Sequence, residues 1–302
     1  MTKSTKWFLG ILAIMALIVV GSTLLVLLFI SKTTTRTEVV TTGSGDKIAV
    51  VELRGIITSA EDIVRQFKKY REDQSIKAVL LRIDSPGGSA VASQEMYEEV
   101  KKTRDSGKPV VVSMGSLAAS GGYYVACGSS RLVANPGTLT GSIGVISEFL
   151  QLHEVLDKIG IDVKTIKSGK MKDAGSQTRK MTVEDQKYFQ SLLDDVHDQF
   201  IEVVETERKL NHEDALALAD GRVFTGKQAL QYGLVDTLGT FEDAIIIAAE
   251  LAGIDGEPAI VRERERRLWW ESIFGDITKS VKEMKKDIFD RPIVSYRFDG
   301  PF

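Results

Sequence analysis

The chain has 302 residues, 43% of them hydrophobic and 27% charged, which is enough apolar material for one or two ordinary cores and too much for intrinsic disorder. A net charge of -3, with Lys and Arg scattered along the chain, argues against nucleic acid as a partner. The single cysteine, Cys127, excludes an intrachain disulfide framework and a cysteine zinc site, and its apolar surroundings mark it as a small core residue.

Lys3 and Lys6 precede the stretch Trp7 to Ile30, 24 residues without a charge. As a helix it is about 36 Å long against a hydrocarbon core of about 30 Å, so it is expected to span a bilayer with some tilt. A cleaved signal peptide has a shorter apolar core and a small-residue cleavage site, and Leu24 to Ile30 offers none. Residues 1–31 are therefore expected to be an uncleaved transmembrane anchor. Basic residues flank both ends and give no orientation by count; the short N-terminus points to N-in, with the remainder outside the cytoplasm. Residues 32–46, rich in Thr, read as a polar linker.

From residue 47 strands and helices alternate. Lys47–Leu53 and Ala78–Ile83 are predicted strands, with a helix opening at Ser59 between them. A helix over Ala90–Thr103, a strand over Pro109–Met114 and a small-residue helix over Ala118–Cys127 follow. That order predicts an α/β domain with a mainly parallel sheet, whose ligands bind at the carboxyl ends of strands. Ile161–Ile166 reads as a further strand. Thr182-Val183-Glu184-Asp185 has the form of a capping box opening a helix to about Arg208, with Tyr188, Leu192, Val196, Phe200 and Val203 on its apolar face. Lys227–Gly233 and Phe241–Ala252 read as two short helices. Residues 47–254 are expected to form the domain, and residues 255–302 a tail, amphipathic or flexible.

Two glycine turns carry the candidate chemistry. Asn135 to Ile146 places Ser142 between Gly141 and Gly144, whose missing side chains let backbone approach a ligand closely, and Ser142 is the candidate nucleophile. The alternative is a tight turn whose serine bonds its own backbone. Asp84-Ser85-Pro86-Gly87-Gly88-Ser89 joins a strand to a helix, and its glycine N–H groups are suitable donors to a developing oxyanion. It fits neither phosphate-loop spacing, G-x-x-x-x-G-K-[ST] or G-x-G-x-x-G.

A serine nucleophile needs a base. His153, His197 and His212 fall on helices among ordinary surface residues, and Ser142 lacks the G-x-S-x-G context, because residue 140 is Thr. The other source is the loop Lys167 to Ser176 with its three lysines. A lysine there has to fall from a pKa of about 10.4 to about 7–8 by burial to act as a base. Unburied, the loop is a solvated basic run.

The segments Asp84 to Ser89, Ala119-Ser120-Gly121-Gly122-Tyr123-Tyr124, Thr140-Gly141-Ser142-Ile143-Gly144, Ser168-Gly169-Lys170-Met171-Lys172-Asp173 and Ala219 to Gly226 occur in this order. Together they resemble the signal peptide peptidase A family, membrane-anchored serine-lysine proteases related in fold to the ClpP and crotonase group. The resemblance covers about residues 47–250. It implies a ClpP/crotonase-like βα superhelical domain preceded by one transmembrane helix, Ser142 as nucleophile and Lys172 as general base. It also implies an oxyanion hole from Gly88 and the Ser142 amide, and an orienting role for Ser168. Met171 stands where the family often has an aromatic residue, which keeps Lys170 as the alternative base. Neither cofactor nor metal is implied. The implied substrates are peptides, above all cleaved signal peptides, and the implied location is the cell membrane, single-pass, with the catalytic domain extracytoplasmic. Because the chain resembles the half-length members, the resemblance further implies a homo-oligomeric ring in which Ser142 of one copy meets Lys172 of the next. Two other classes stay open: an acyl-CoA enzyme of the crotonase type, and a non-catalytic membrane scaffold.

Overall fold

The computed structural model describes residues 37–265 and 294–298, together with the single helical positions 7, 14, 15, 17, 18 and 21. The expected anchor therefore lies almost wholly outside the described residues, as do the start of the linker and most of the tail. Among the described residues no helix is long and apolar enough to cross a membrane.

The first half of the domain runs β1 (Thr37–Thr42), β2 (Lys47–Arg54), α1 (Glu61–Glu72), β3 (Ile76–Ser85), β4 (Gly87–Ser89), α2 (Ala90–Asp105), β5 (Val110–Ala119), α3 (Gly121–Cys127), β6 (Arg131–Ala134) and β7 (Leu139–Gly141). There follow α4 (His153–Lys158), a 3-10 turn at Lys170–Asp173, α5 (Val183–Arg208), α6 (His212–Leu218), β8 (Val223–Thr225), α7 (Gly226–Gln231), β9 (Thr237–Leu238), α8 (Phe241–Leu251), β10 (Ala259–Glu265) and β11 (Ser295–Arg297). The main sheet has the order β1-β10-β2-β3-β5-β6-β9, with β7 paired to β5 and β8 to β7. Every pairing from β10 to β9 along that path is parallel.

Successive side chains of a strand point to opposite faces, and here both faces are covered. Ala49 and Val51 of β2 and Val79, Leu81 and Ile83 of β3 enter one apolar cluster with Phe67, Met96 and Tyr123 from α1, α2 and α3. Ile48, Val50, Ala78 and Leu80 enter a second, closed by Ala244 and Ala248 of α8. That double covering is why AVLLRI reads as a continuous apolar run instead of an alternating one.

Four expectations need correction. The linker contains a strand, β1, whose sequence TEVVTT is rich in the β-branched residues that favour a pleated surface. The fold reaches past residue 254, since β10 extends the parallel sheet beside β2 and β11 pairs antiparallel with β4. Residues 161–166 form no strand: Ile161, Val163 and Ile166 are 49%, 46% and 93% exposed, and alternation without a partner edge buries nothing. On α5 the capping box of Thr182 and Asp185 is present, but the apolar stripe is used only in its second half, where Phe200, Ile201 and Val204 are buried while Tyr188 and Leu192 stay exposed.

Candidate active site

The turn after β3 is fixed on one side by Ile57, whose N–H donates to Gly87 O at 2.8 Å and whose carbonyl accepts from Ser89 N at 2.7 Å. Strand alternation then turns the Gly88 N–H and C=O to the other side, where its register partner is Tyr296 of β11. Gly88 is held at φ 155°, and a Cβ there would come within 2.1 Å of Ile57 O. Phe298 N donates to Pro86 O at 2.8 Å, and across the cleft Ser295 exchanges both backbone bonds with Ile146, at 3.0 and 3.1 Å. Ser295–Phe298 thus lies as an extended strand between the two loops that the sequence singled out, in the manner of a peptide added to exposed sheet edges.

At the carboxyl end of β5 the chain turns sharply at Ser120, with φ 54° and ψ -117°. That is the first central position of a type II′ turn, normally a glycine's, and it costs a residue with a Cβ on the order of 1–3 kcal/mol. The turn is pinned by Ser120 N to Gly141 O at 2.7 Å and Tyr124 N to Ser120 O at 2.8 Å. The side chain is buried, does not cap α3, and its Oγ has no hydrogen-bond partner. Gly121 follows it so near to β11 that a Cβ would lie 3.1 Å from the Tyr296 carbonyl oxygen. The same oxygen would lie 2.0 Å from a Cβ on Gly87. One carbonyl of an extended strand therefore sits in a niche bounded by Gly87, Gly88 and Gly121, with Ser120 at its edge.

Ser142, the serine chosen from the sequence, is at the adjoining wall. It also has positive φ, 51°, and its N–H donates to Arg222 O at 2.9 Å. The expected use of the Ser142 amide as second oxyanion donor is thereby corrected, because that donor is already spent. Its side chain lines a cavity of about 370 Å³ with Ile146, Asp194, His197, Asp220 and Phe298, among others. Of the histidines, His197 shares that cavity and has an unpartnered Nε2, whereas His212 is paired with Glu205 at 2.6 Å. Arg222 pairs with Asp220 on the surface.

The lysine loop is anchored by ion pairs. Lys167 meets Asp173 at 2.5 Å, Lys170 meets Glu184 at 2.5 Å, and Arg179 bridges Asp173 (3.0 Å) and Asp185 (2.5 Å). Arg179, with Lys167 beside it, holds the Asp173 carboxyl down at about 2, and Arg179 and the Thr182 backbone lower that of Asp185 as well. Lys172 is exposed, and its amine makes no hydrogen bond or ion pair with any described residue. It does not line the cavity at Ser142. Ser168 is exposed in the same loop and bonds no described lysine. The structure thus gathers Gly88, Ser120 and Ser142 around one groove and leaves Lys172 and Ser168 outside it.

Ser120 is the residue that the sequence reading missed, although it lay within a quoted segment. Reading a helix from Ala118 hid the turn; the usable signal was a serine between a strand and a helix followed by two glycines, the logic of a nucleophile elbow without its usual motif.

Residues 102–255 match the model of peptidase family S49, and residues 48–138 match that of Clp protease. A Synechocystis sp. protein described as a protease, slr0021, is 46% identical over 215 residues, which are 71% of this chain and 77% of that one. Protease 4 of Salmonella typhi is 34% identical over 83% of this chain and 43% of its own, and the chloroplastic serine protease SPPA of Arabidopsis thaliana is 36% identical over 70% and 33%. This chain therefore spans less than half the length of those two relatives. The likenesses favour neither an acyl-CoA enzyme nor a scaffold. A parallel sheet covered on both faces, a groove that accepts an extended strand and these matches together assign the chain to peptidase family S49, the signal peptide peptidase A family, as a serine-type peptidase on a ClpP-like α/β fold.

Proposed function

We propose that this chain is a membrane-anchored endopeptidase that cleaves extended peptides, cleaved signal peptides among them, in the groove occupied by Ser295–Phe298. Ser120 is the nucleophile, the Gly88 and Gly121 amides are the oxyanion donors, and Lys172 of a neighbouring copy is the general base. The observation that carries this reading is the seat of the Tyr296 carbonyl, between Gly88 and Gly121 and beside a hydroxyl with no other partner. A substrate strand pairing with β4 and Ile146 presents one carbonyl to that niche. Ser120 Oγ attacks its carbon while the lysine amine takes the hydroxyl proton, and the two amides bind the tetrahedral oxyanion. The lysine returns the proton to the departing amine, and water then hydrolyses the acyl-enzyme by the same route.

Lys172 is preferred to its neighbours because Lys167 and Lys170 are tied to Asp173 and Glu184. An exposed lysine is a poor base until it is desolvated. A second copy supplies both the burial and the serine, and Leu150, Ile159 and Ile166, exposed at 62%, 63% and 93% on the same arm, offer an apolar face for that contact. Such contacts, repeated head to tail, close into a ring. The uncharged stretch Trp7 to Ile30 supports the anchor.

A second reading keeps Ser142 as nucleophile with His197 as an in-chain base, favoured by the cavity they share and the unpartnered Nε2. Labelling with a fluorophosphonate followed by peptide mapping separates the two. Modification at Ser120 is expected; modification at Ser142, abolished by His197→Ala, hands the role to the second pair.

A further inference from the structure

We infer that the pocket holding the Tyr296 side chain is the P1 specificity pocket, and that it selects an aromatic residue bearing a hydroxyl, tyrosine above phenylalanine. The inference rests on the groove assignment above, because a residue whose carbonyl occupies the niche of Gly88 and Gly121 is the residue on the acyl side of the bond to be cut.

The pocket has aromatic walls and a polar end. Tyr296 is fully buried, stacked on Tyr124 with centroids 5.1 Å apart and planes at 19°, and tilted against Phe200 at 4.8 Å. Tyr124 is held in turn by Tyr97 in an edge contact at 5.3 Å. At the far end the Tyr296 hydroxyl donates to Val196 O, a carbonyl of α5, at 3.1 Å, and the Gln94 side chain lies beside it. Burial raises the phenol well above its ordinary range, so it enters as a neutral donor. A flat ring gains stacking on Tyr124 and Phe200 that an aliphatic side chain cannot match. A hydroxyl at its tip meets Val196 O, which phenylalanine leaves without that donor. Val196 O belongs to a helix, so the gain from one further hydrogen bond is modest.

The test uses the full chain in detergent micelles and four internally quenched peptides that differ only at one central residue, Tyr, Phe, Leu or Ala, with cut sites mapped by mass spectrometry. Cleavage is expected after the varied residue. The Tyr peptide should exceed the Phe peptide in kcat/KM by about 3- to 10-fold, the value of one net hydrogen bond. Phe should exceed Ala by about 10- to 100-fold, the value of burying an aromatic side chain. Gln94→Leu should bring the Tyr to Phe ratio towards unity, and Phe200→Leu should lower both aromatic peptides relative to Leu. Equal rates for all four, or a preference for Ala, overturns the pocket assignment if Ser120→Ala still abolishes the cuts. Cuts that persist in Ser120→Ala, or no cut in any peptide, overturn the groove reading and the pocket with it.

Discussion

Around the groove, Gly87, Gly88, Ser120, Gly121 and Tyr296 are all buried, and the turns that carry them are fixed by short backbone bonds to Ile57 and Gly141. Residues 147–182, which carry Lys172, include no buried residue, contain one six-residue helix and no strand, and are braced by the ion pairs of Arg179, Lys167 and Lys170. Attack on a carbonyl demands placement to within a fraction of an ångström, which packed backbone supplies and an exposed arm does not. The half of the site that binds and attacks is thus complete within one chain. The half that moves the proton is not, and an unburied lysine beside exposed Leu150, Ile159 and Ile166 is what a second copy would complete.

The sharpest way to break this comparison is at the serines. Ser120→Ala should lower turnover by at least about 1,000-fold, as loss of a nucleophile does, while Ser142→Ala keeps most of it. The opposite ranking would move the chemistry to the neighbouring wall. Gly88→Ala tests the packed half from the other side: its Cβ would meet Ile57 O at 2.1 Å, so both turnover and thermal midpoint should fall, the latter by several degrees.

Next comes the arm. Lys172→Ala should lower turnover by about 100-fold or more, and Lys170→Ala by far less, since Lys170 already serves Glu184. Mixing Ser120→Ala with Lys172→Ala subunits should restore activity if serine and lysine meet across copies. A mixture that stays inactive at every ratio would mean that the arm folds back onto its own groove.

Much of the packed half was legible in the sequence. AVLLRI announced a strand buried on both faces, SPGGS a turn with free amides, and the Thr182 to Asp185 spacing a capped helix. What misled was the meaning of glycine around Ser142. Gly141 is small because a Cβ would lie 2.6 Å from the Phe224 ring, and Gly144 because Gly221 Cα would be 3.2 Å away. Both report close packing of the β7 and β8 region, and close packing alone says nothing of chemistry. The catalytic turn was hidden because Ser120 breaks a run of small residues that reads equally as strand end or helix start. The partner of Gly88 was beyond reach, since Tyr296 lies 208 residues away by number and no local pattern ties SYR to SPGGS.

The smallest expected effect concerns the ion pairs that brace the arm. Asp173 keeps its carboxyl at about 2 in the folded chain against an ordinary 3.8, through Arg179 first and Lys167 second. A depressed carboxyl contributes stability that is fully present above its ordinary value and is lost as pH falls through the folded one, so the bracing should weaken between about pH 4 and pH 2 and be constant above. The groove contains no such pair: its turns are held by backbone bonds and glycine packing, which do not titrate. Hydrogen exchange of residues 165–182, followed against that of β3 and β5 from pH 5 downward, should therefore show the arm loosening first while the sheet stays protected. Arg179→Gln should bring fast exchange in the arm up to neutral pH, with little change in the thermal midpoint, because exposed pairs add little to global stability. If the arm and the sheet loosen together, the two regions are one cooperative unit, and the contrast between a packed half and a braced half fails.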